Sequence, residues 1–191
     1  MGKVHYDLTN VHVAKRTIGD DGSVTFGTPK RILGAVGMDL AAQGETVKLR
    51  ADAMDYYVTN SNNGYDGDVT FAMVPDWFHE EYLGDTLSET DKVLVENAEA
   101  SGEGFALLYE FKGDKYHRRH VLYSCVASRP NIKGENKDSQ KQPDTEALHI
   151  TASPQEDGMV KASTTPETPE TTYKNWYKKV WMKDGDLNAV E

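Results

Sequence analysis

Asp52-Ala-Met-Asp-Tyr56-Tyr57-Val58-Thr-Asn60-Ser-Asn62-Asn63-Gly64-Tyr65-Asp66-Gly67-Asp68-Val69-Thr-Phe71-Ala-Met73-Val-Pro75-Asp-Trp77-Phe78-His-Glu80-Glu81-Tyr82-Leu83-Gly84 passes through three physical regimes, and the fold is read outward from them. Tyr56, Tyr57 and Val58 are strand formers. Thr59 to Gly64 is a run of turn residues whose side chains bond their own backbone. After Gly67 apolar and polar residues alternate, with Val69, Phe71 and Met73 on one face and Asp68, Thr70 and Ala72 on the other. Pro75 removes a ladder donor and ends that strand. It also suits the first position of a short helix, Asp76 to Leu83, closed by Gly84. Trp77, Phe78, Tyr82 and Leu83 of this helix are expected to face the sheet, and Glu80 and Glu81 to face water.

Strand signals continue on both sides. Val11 and Val13 begin an alternating run that Gly19-Asp20-Asp21-Gly22 turns back into Ser23 to Gly27, a hairpin signature. Pro29 to Leu33 is extended. Ala35 to Ala41 alternates, with Val36, Met38 and Leu40 as one face. Gln43-Gly44-Glu45 turns into Thr46 to Ala51. Lys92 to Val95 suits an edge strand or a helical turn. Phe105 to Phe111 is apolar enough to be buried on both faces, and Gly113-Asp114 turns it into Tyr116 to Ala127. Residues 129 to 145 are polar and turn-rich, as exposed loops are. Ala147 to Ser153 and Met159 to Ser163 flank an Asp157-Gly158 turn and read as partners. Thr164 to Thr172 has a linker's composition, and Tyr173 to Trp181 is strongly aromatic. The sum is an all-β domain with one short helix, of sandwich or barrel type. It spans 1–165 and carries long loops at 45–66 and 129–145; residues 166–191 form a linker and an aromatic segment that docks on its own domain or on a neighbour.

The chain has 191 residues, 38% hydrophobic and 27% charged, which suits one folded domain with a real core. The longest uninterrupted apolar run, Phe105 to Tyr109, is far short of the roughly 20 residues that cross a bilayer. The amino terminus lacks the apolar core of a signal peptide, so the chain is expected to stay in the cytoplasm after synthesis. Cys125 is the single cysteine. It excludes an internal disulfide and a cysteine-cluster zinc site, and it reads as a small buried hydrophobe. Lys and Arg total 21 against 31 Asp and Glu, a net charge of −10. That balance argues against gripping nucleic acid through phosphates and suits a surface that must not stick to a polyanion.

Signatures of chemistry are scarce. His79-Glu80-Glu81-Tyr82 begins like a zinc-protease motif but lacks the second histidine. Asn60, Asn62, Asp66 and Asp68 invite a calcium reading, yet the loop lacks the glycine and the closing glutamate such a site needs. In His117-Arg118-Arg119-His120 the two histidines, three apart on a strand, point to opposite faces. Arg118 and Arg119 are expected to pair with acidic residues of the same chain or of a neighbouring one. No acid–base carboxylate pair stands out. No catalytic residue, metal ligand or cofactor is expected, and the protein reads as not an enzyme.

The chain resembles the major tail protein of long-tailed, non-contractile phages of Gram-positive bacteria. The similar stretches, in order, are Gly34-Ala35-Val36, Gly44-Glu45-Thr46, Asn60 to Tyr65, Val74-Pro75-Asp76, Leu94 to Ala98, Phe105 to Phe111, Arg118 to Val121, Arg129-Pro130 and Tyr173 to Tyr177. Each is short; the ordered set carries the resemblance. It implies two packed antiparallel β-sheets flanked by one helix, a fold related to the tube protein of type VI secretion. It further implies homohexameric rings stacked into a hollow tail tube, a location in the virion tail, and assembly in the host cytoplasm. The implied partners are copies of itself, the tape measure protein, and tail tip and terminator proteins. DNA would pass through in transit without specific binding, and no membrane is involved.

Two sets of residues follow as candidates. The 45–66 loop is the principal inter-subunit arm, with 129–145 and the terminal aromatics as secondary contacts; the residues are Tyr56, Tyr57, Asn60, Asn62, Asn63, Tyr65, Trp176, Tyr177 and Trp181. Lumen-facing candidates are Asp39, Asp66, Asp68 and Glu110, from the polar faces of the strands. Lys48 and Arg50 lie on such a face too and fit an acidic wall poorly. The competing readings are a carbohydrate-binding β-sandwich of a virion or cell surface, using Trp77, Trp176 or Trp181, and a tube protein of a contractile or secretion-type particle.

Overall fold

A computed structural model of the chain describes residues 6–134 and 144–183. The centre of the 129–145 loop and the two ends of the chain lie outside the described residues. β1 (Leu8–Ile18) turns back into β2 (Val24–Phe26) as the sequence predicts, with Arg16 opposite Phe26 and Ile18 opposite Val24. Asp21 shapes the turn, its Oδ1 accepting from the Ser23 amide at 3.0 Å and the Ser23 hydroxyl at 2.6 Å. β3 (Lys30–Arg31) returns along β1.

β4 (Ala35–Gln43) pairs with β7 (Gly64–Phe71), and between them the chain runs out and back as β5 (Thr46–Ala51) and β6 (Met54–Asn60). The long loop at 45–66 is therefore a two-stranded ribbon followed by the start of β7. Its reversal at Asp52 and Ala53 has φ of 51° and 64°, a two-residue turn of the type that matches strand twist. It is built without the glycine that normally announces such a turn. Thr59 and Asn60, read as turn residues, complete β6.

Asp76–Phe78 forms an α-helical turn that continues as a π-helical turn over His79–Leu83; together they are α1. Gly84, at φ 82°, closes it in the left-handed conformation that only glycine adopts freely. β8 (Thr86–Leu87) and β9 (Leu94–Val95) make a small separate hairpin. β10 (Phe105–Phe111), β11 (Arg119–Ala127), β12 (Glu146–Ser153) and β13 (Lys161–Ser163) follow, then the short α2 (Glu170–Asn175), which straddles the end of the stretch read as linker and the start of the aromatic segment. β12 and β13 are not partners of each other. Both lie along β11, with Ser153 opposite Ser124 and Lys161 opposite Leu122, because β11 is long enough to offer each a separate stretch of edge.

Nine strands form one antiparallel sheet in the order β2-β1-β10-β11-β12-β7-β4, with β3 on β1 and β13 on β11. Its concave face gathers Val11, Val13, Phe105, Leu107, Leu122, Leu148, Ile150, Val69 and Phe71 into a single core under Phe78 and Tyr82 of α1. Phe105 packs edge to face on Tyr82 with centroids 5.2 Å apart, and Phe78 lies tilted against the same ring at 5.0 Å. The fold is sandwich-like, as the sequence predicts, and the strands that enclose the core are hydrogen-bonded into one antiparallel sheet. Register shifts at Thr9/His12, Phe105/Leu107 and Ala35/Gly37 add the twist that lets the sheet close over itself.

β10 is buried on both faces, as its composition predicts. Its outer side joins Ala14, Ala106, Leu108, Val121 and Tyr123 to Trp176 and Val180 from the end of the chain. The aromatic segment thus docks on its own domain. Two side chains leave their expected faces. The bulge at Ala35/Gly37 turns Val36 outward while Met38 and Leu40 stay against the core. β7 ends at Phe71, so Met73 escapes the alternation that buries Val69 and Phe71.

Candidate functional site

The most exposed apolar surface stands on the β5–β6 ribbon. Its root is a continuous ladder from the main sheet: Gln43 faces Gly64, the Asn63 amide donates to the Gln43 carbonyl at 2.8 Å, and the Ser61 amide to that of Glu45 at 2.9 Å. Thr46 then faces Asn60, its hydroxyl 2.7 Å from the Asn60 side-chain oxygen. Val47 lies opposite Thr59 and Leu49 opposite Tyr57 on one side of the ribbon. On the other side Asp55 holds Lys48 at 3.0 Å and Arg50 at 3.6 Å. Lys48 and Arg50 therefore stand on the arm, paired with Asp55. Val47, Leu49, Met54, Tyr56, Tyr57 and Val58 are each at least 50% exposed. A two-stranded ribbon is marginal in water by itself, and such a cluster of apolar side chains marks a contact surface.

Of the residues nominated for inter-subunit contact, Tyr56, Tyr57 and Asn60 stand on this arm and Asn62 and Asn63 at its root, where the Gly64 amide donates to Asn62 Oδ1 at 3.2 Å. Tyr65 is not on the arm. It shares the inner face of β7 with Val69 and Phe71, packs against the core, and has Lys161 Nζ 5.0 Å from its ring centroid. Trp176 is only 3% exposed. Its indole nitrogen donates to the His120 carbonyl at 3.5 Å and its ring stacks on Trp181. Tyr123 donates to the Trp181 carbonyl at 2.9 Å. These contacts are within the chain, because the outer face of β10–β11 is apolar and needs cover.

The lumen-facing candidates separate into two environments. Asp39, Asp68 and His149 form one row across β4, β7 and β12, and Asp66 and Thr151 sit in the next row on the same outer face. His149 Nδ1 is 2.9 Å from Asp68 Oδ1, His149 Nε2 is 3.3 Å from Asp66 Oδ1, and Thr151 donates to Asp66 at 2.7 Å. The hydrogen bond to Asp68, reinforced by the charges of Asp66 and Asp68, holds the imidazole above its ordinary pKa. His149 had no motif to single it out; only strand register brings it between the two aspartates.

Glu110 belongs elsewhere. It is a half-buried hub that accepts from Arg119 Nε at 3.3 Å, from the Tyr177 hydroxyl at 3.1 Å and from Asn10 Nδ2, so it presents no open wall. Arg119 lies over the Tyr173 and Tyr177 rings at 3.8 and 4.8 Å and donates to the Tyr173 carbonyl. Arg118 approaches Asp114 at 4.0 Å. Both arginines thus pair with acids, as expected, but β11 begins only at Arg119 and the strand alternation does not reach His117. Trp77 is half-buried with Lys30 Nζ 3.8 Å from its ring centroid. With Trp176 buried and Trp181 stacked, the three tryptophans form no common platform for a sugar. Among the described residues no group of three or more His, Cys, Asp or Glu side chains is placed to hold a metal ion.

No protein-family model matches the chain, and no curated protein matches it. Among solved structures it is similar to one described as the tube terminating cap of the anti-feeding prophage, determined by cryo-electron microscopy. The two are 9% identical over 85% of this chain and 93% of that chain, with a TM-score of 0.48.

Proposed function

We propose that this chain is a structural protein and not an enzyme: the repeating subunit of the hollow tail tube of a non-contractile phage. The reading rests on the ordered stretches similar to major tail proteins and on one structural observation, the β5–β6 arm. A ribbon carrying Leu49, Tyr56 and Tyr57 in the open is surface made to be covered by another chain. In this reading copies close into hexameric rings through heterologous contacts, and the rings stack around the tape measure protein. Ring closure also covers open strand edges, which otherwise invite aggregation.

The Asp39–Asp66–Asp68 face then lines the bore. A weakly repulsive wall keeps a polyanion from adsorbing, and screening confines the repulsion to roughly 8–10 Å. Electron microscopy of the concentrated protein tests the proposal, with rings or hollow filaments as the expected result. Mass spectrometry of purified virions should find the chain as an abundant shaft component. Its absence from the shaft, or turnover of a substrate, overturns the proposal.

A further inference from the structure

We propose that the turn between β10 and β11, together with the outer side of α2 and the segment after it, binds the phosphodiester backbone of a single nucleic-acid strand. The inference does not depend on the tube reading, since the acidic face assigned to the bore lies on other strands, β4 and β7. The net charge of −10, which by itself argues against a grip on phosphates, conceals an uneven distribution. Residues 112–119 and 173–179 hold seven of the 21 lysines and arginines and a single acid, Asp114. The two stretches are far apart in sequence, and the fold joins them. The Tyr173 hydroxyl donates to the His117 carbonyl at 3.0 Å, and the Arg119 guanidinium lies 3.8 Å from the Tyr173 ring centroid.

The turn keeps its one acid inward. Asp114 is 7% exposed, and its carboxylate accepts from the Tyr116 and Arg118 amides at 3.2 and 3.0 Å. Its carbonyl accepts from the His117 amide at 3.0 Å, and His117 completes the reversal at φ 46°. Lys115, Tyr116, His117 and Arg118 are thereby all exposed. Lys115 and Arg118 lie 5.6 and 5.8 Å from the Tyr116 ring centroid. On the terminal segment Trp176 and Tyr177 pack inward, which leaves Lys174 and Lys178 in water. Acids at the margin are taken. Arg119 and Tyr177 hold Glu110, and Lys174 meets Glu170 at 2.7 Å in an exposed pair, a kind worth little in water. Elsewhere Lys15, Lys30 and Arg129 each meet a carboxylate. Among the described residues Lys115 and Lys178 meet none.

Charge alone would admit carboxylates as well as phosphates. Lysine is depleted from the cores of protein interfaces, which use aromatic and apolar side chains instead. Here lysine dominates, and Tyr116 is the one exposed aromatic of the two stretches. Phosphate binding asks only for cations that displace counterions, and a ring beside two of them gives a base a place to stack. Cations on phosphates and one stacked base carry no sequence preference.

Fluorescence anisotropy of labelled oligothymidylate with the full chain tests the surface. Contacts from Lys115, Arg118, Lys174 and Lys178 should give saturable binding at low salt that weakens about fifty-fold between 50 and 200 mM, the log–log slope being roughly −0.7 per phosphate. Lys115→Gln with Arg118→Gln should weaken binding at least fivefold at 50 mM and flatten that slope by about 1.4. Lys15→Gln with Lys92→Gln, an equal change of net charge elsewhere on the surface, should leave both unchanged. Tyr116→Ala should weaken oligothymidylate but not inorganic polyphosphate, which has no base. Unfolding midpoints equal to wild type are expected for all these variants. Equal losses in the two double variants would reduce the effect to net charge and overturn the inference. So would absence of wild-type binding at 50 mM salt, or tighter binding of polyglutamate, which would make the partner an acidic polypeptide. Hollow filaments from a chain that binds no oligothymidylate leave the tube reading standing and remove this one.

Discussion

His149 ties β12 to β7 through Asp68, with 2.9 Å between the ring Nδ1 and the carboxylate Oδ1. Its second nitrogen reaches Asp66, so one imidazole spans two successive outward-facing positions of β7. The folded pKa lies above the ordinary 6.5. The tie is therefore complete below the unfolded value and is lost as pH rises through the raised folded value. Over that window the face of Asp39, Asp66 and Asp68 gains one unit of net negative charge. Histidine NMR should show His149 titrating above an unstructured histidine. In His149→Gln the corresponding rise in stability toward low pH should disappear. A His149 midpoint at or below the ordinary value contradicts the tie. The pair is solvent-exposed, so the stability change should be small and sensitive to salt.

Leu49→Ser combined with Tyr57→Ser should separate folding from assembly. Both side chains lie outside the core, so stability should stay within about 0.5 kcal/mol of wild type. Self-association followed by sedimentation should be lost. A large drop in melting temperature would mean that the arm packs on its own domain.

Trp176→Ala should cost about 3–5 kcal/mol in denaturant unfolding, the range for truncating a buried aromatic. The side chain fills the outer face of β10–β11 against Leu108, Val121 and Tyr123. Limited proteolysis should then cut the segment after Ser163 before the rest of the chain. Cleavage no faster than in wild type would show the segment is held without the tryptophan.

Two glycines of the β4–β7 pair should behave oppositely when substituted. Gly64 has φ 99°, and a Cβ there would collide with the carbonyl oxygen of Ala152. Gly64→Ala should destabilise by about 1–3 kcal/mol, as overpacking does, and loosen β12 against β7. Gly37 faces open space, so Gly37→Ala should leave the unfolding midpoint nearly unchanged. Equal effects at the two positions would refute the close approach.

By itself the sequence determined the fold class, both long hairpins, the capped helical turn under the sheet, and the double burial of Phe105 to Phe111. Period-2 alternation, Asp-Gly turns and Pro75 with Gly84 are local signals, and local physics reads them. What depended on pairing partners was decided only in three dimensions. The Asp52-Ala53 reversal takes two positive φ angles without a glycine, so the arm looked like a loop. The Ala35/Gly37 bulge flips Val36 out without changing composition. Tyr65 and Glu110 are chemically suited to an interface or a wall, yet strand phase sends one to the core rim and Arg119 claims the other. His149 acquires its role only from register, which sets Asp66 and Asp68 beside it from a strand some eighty residues earlier.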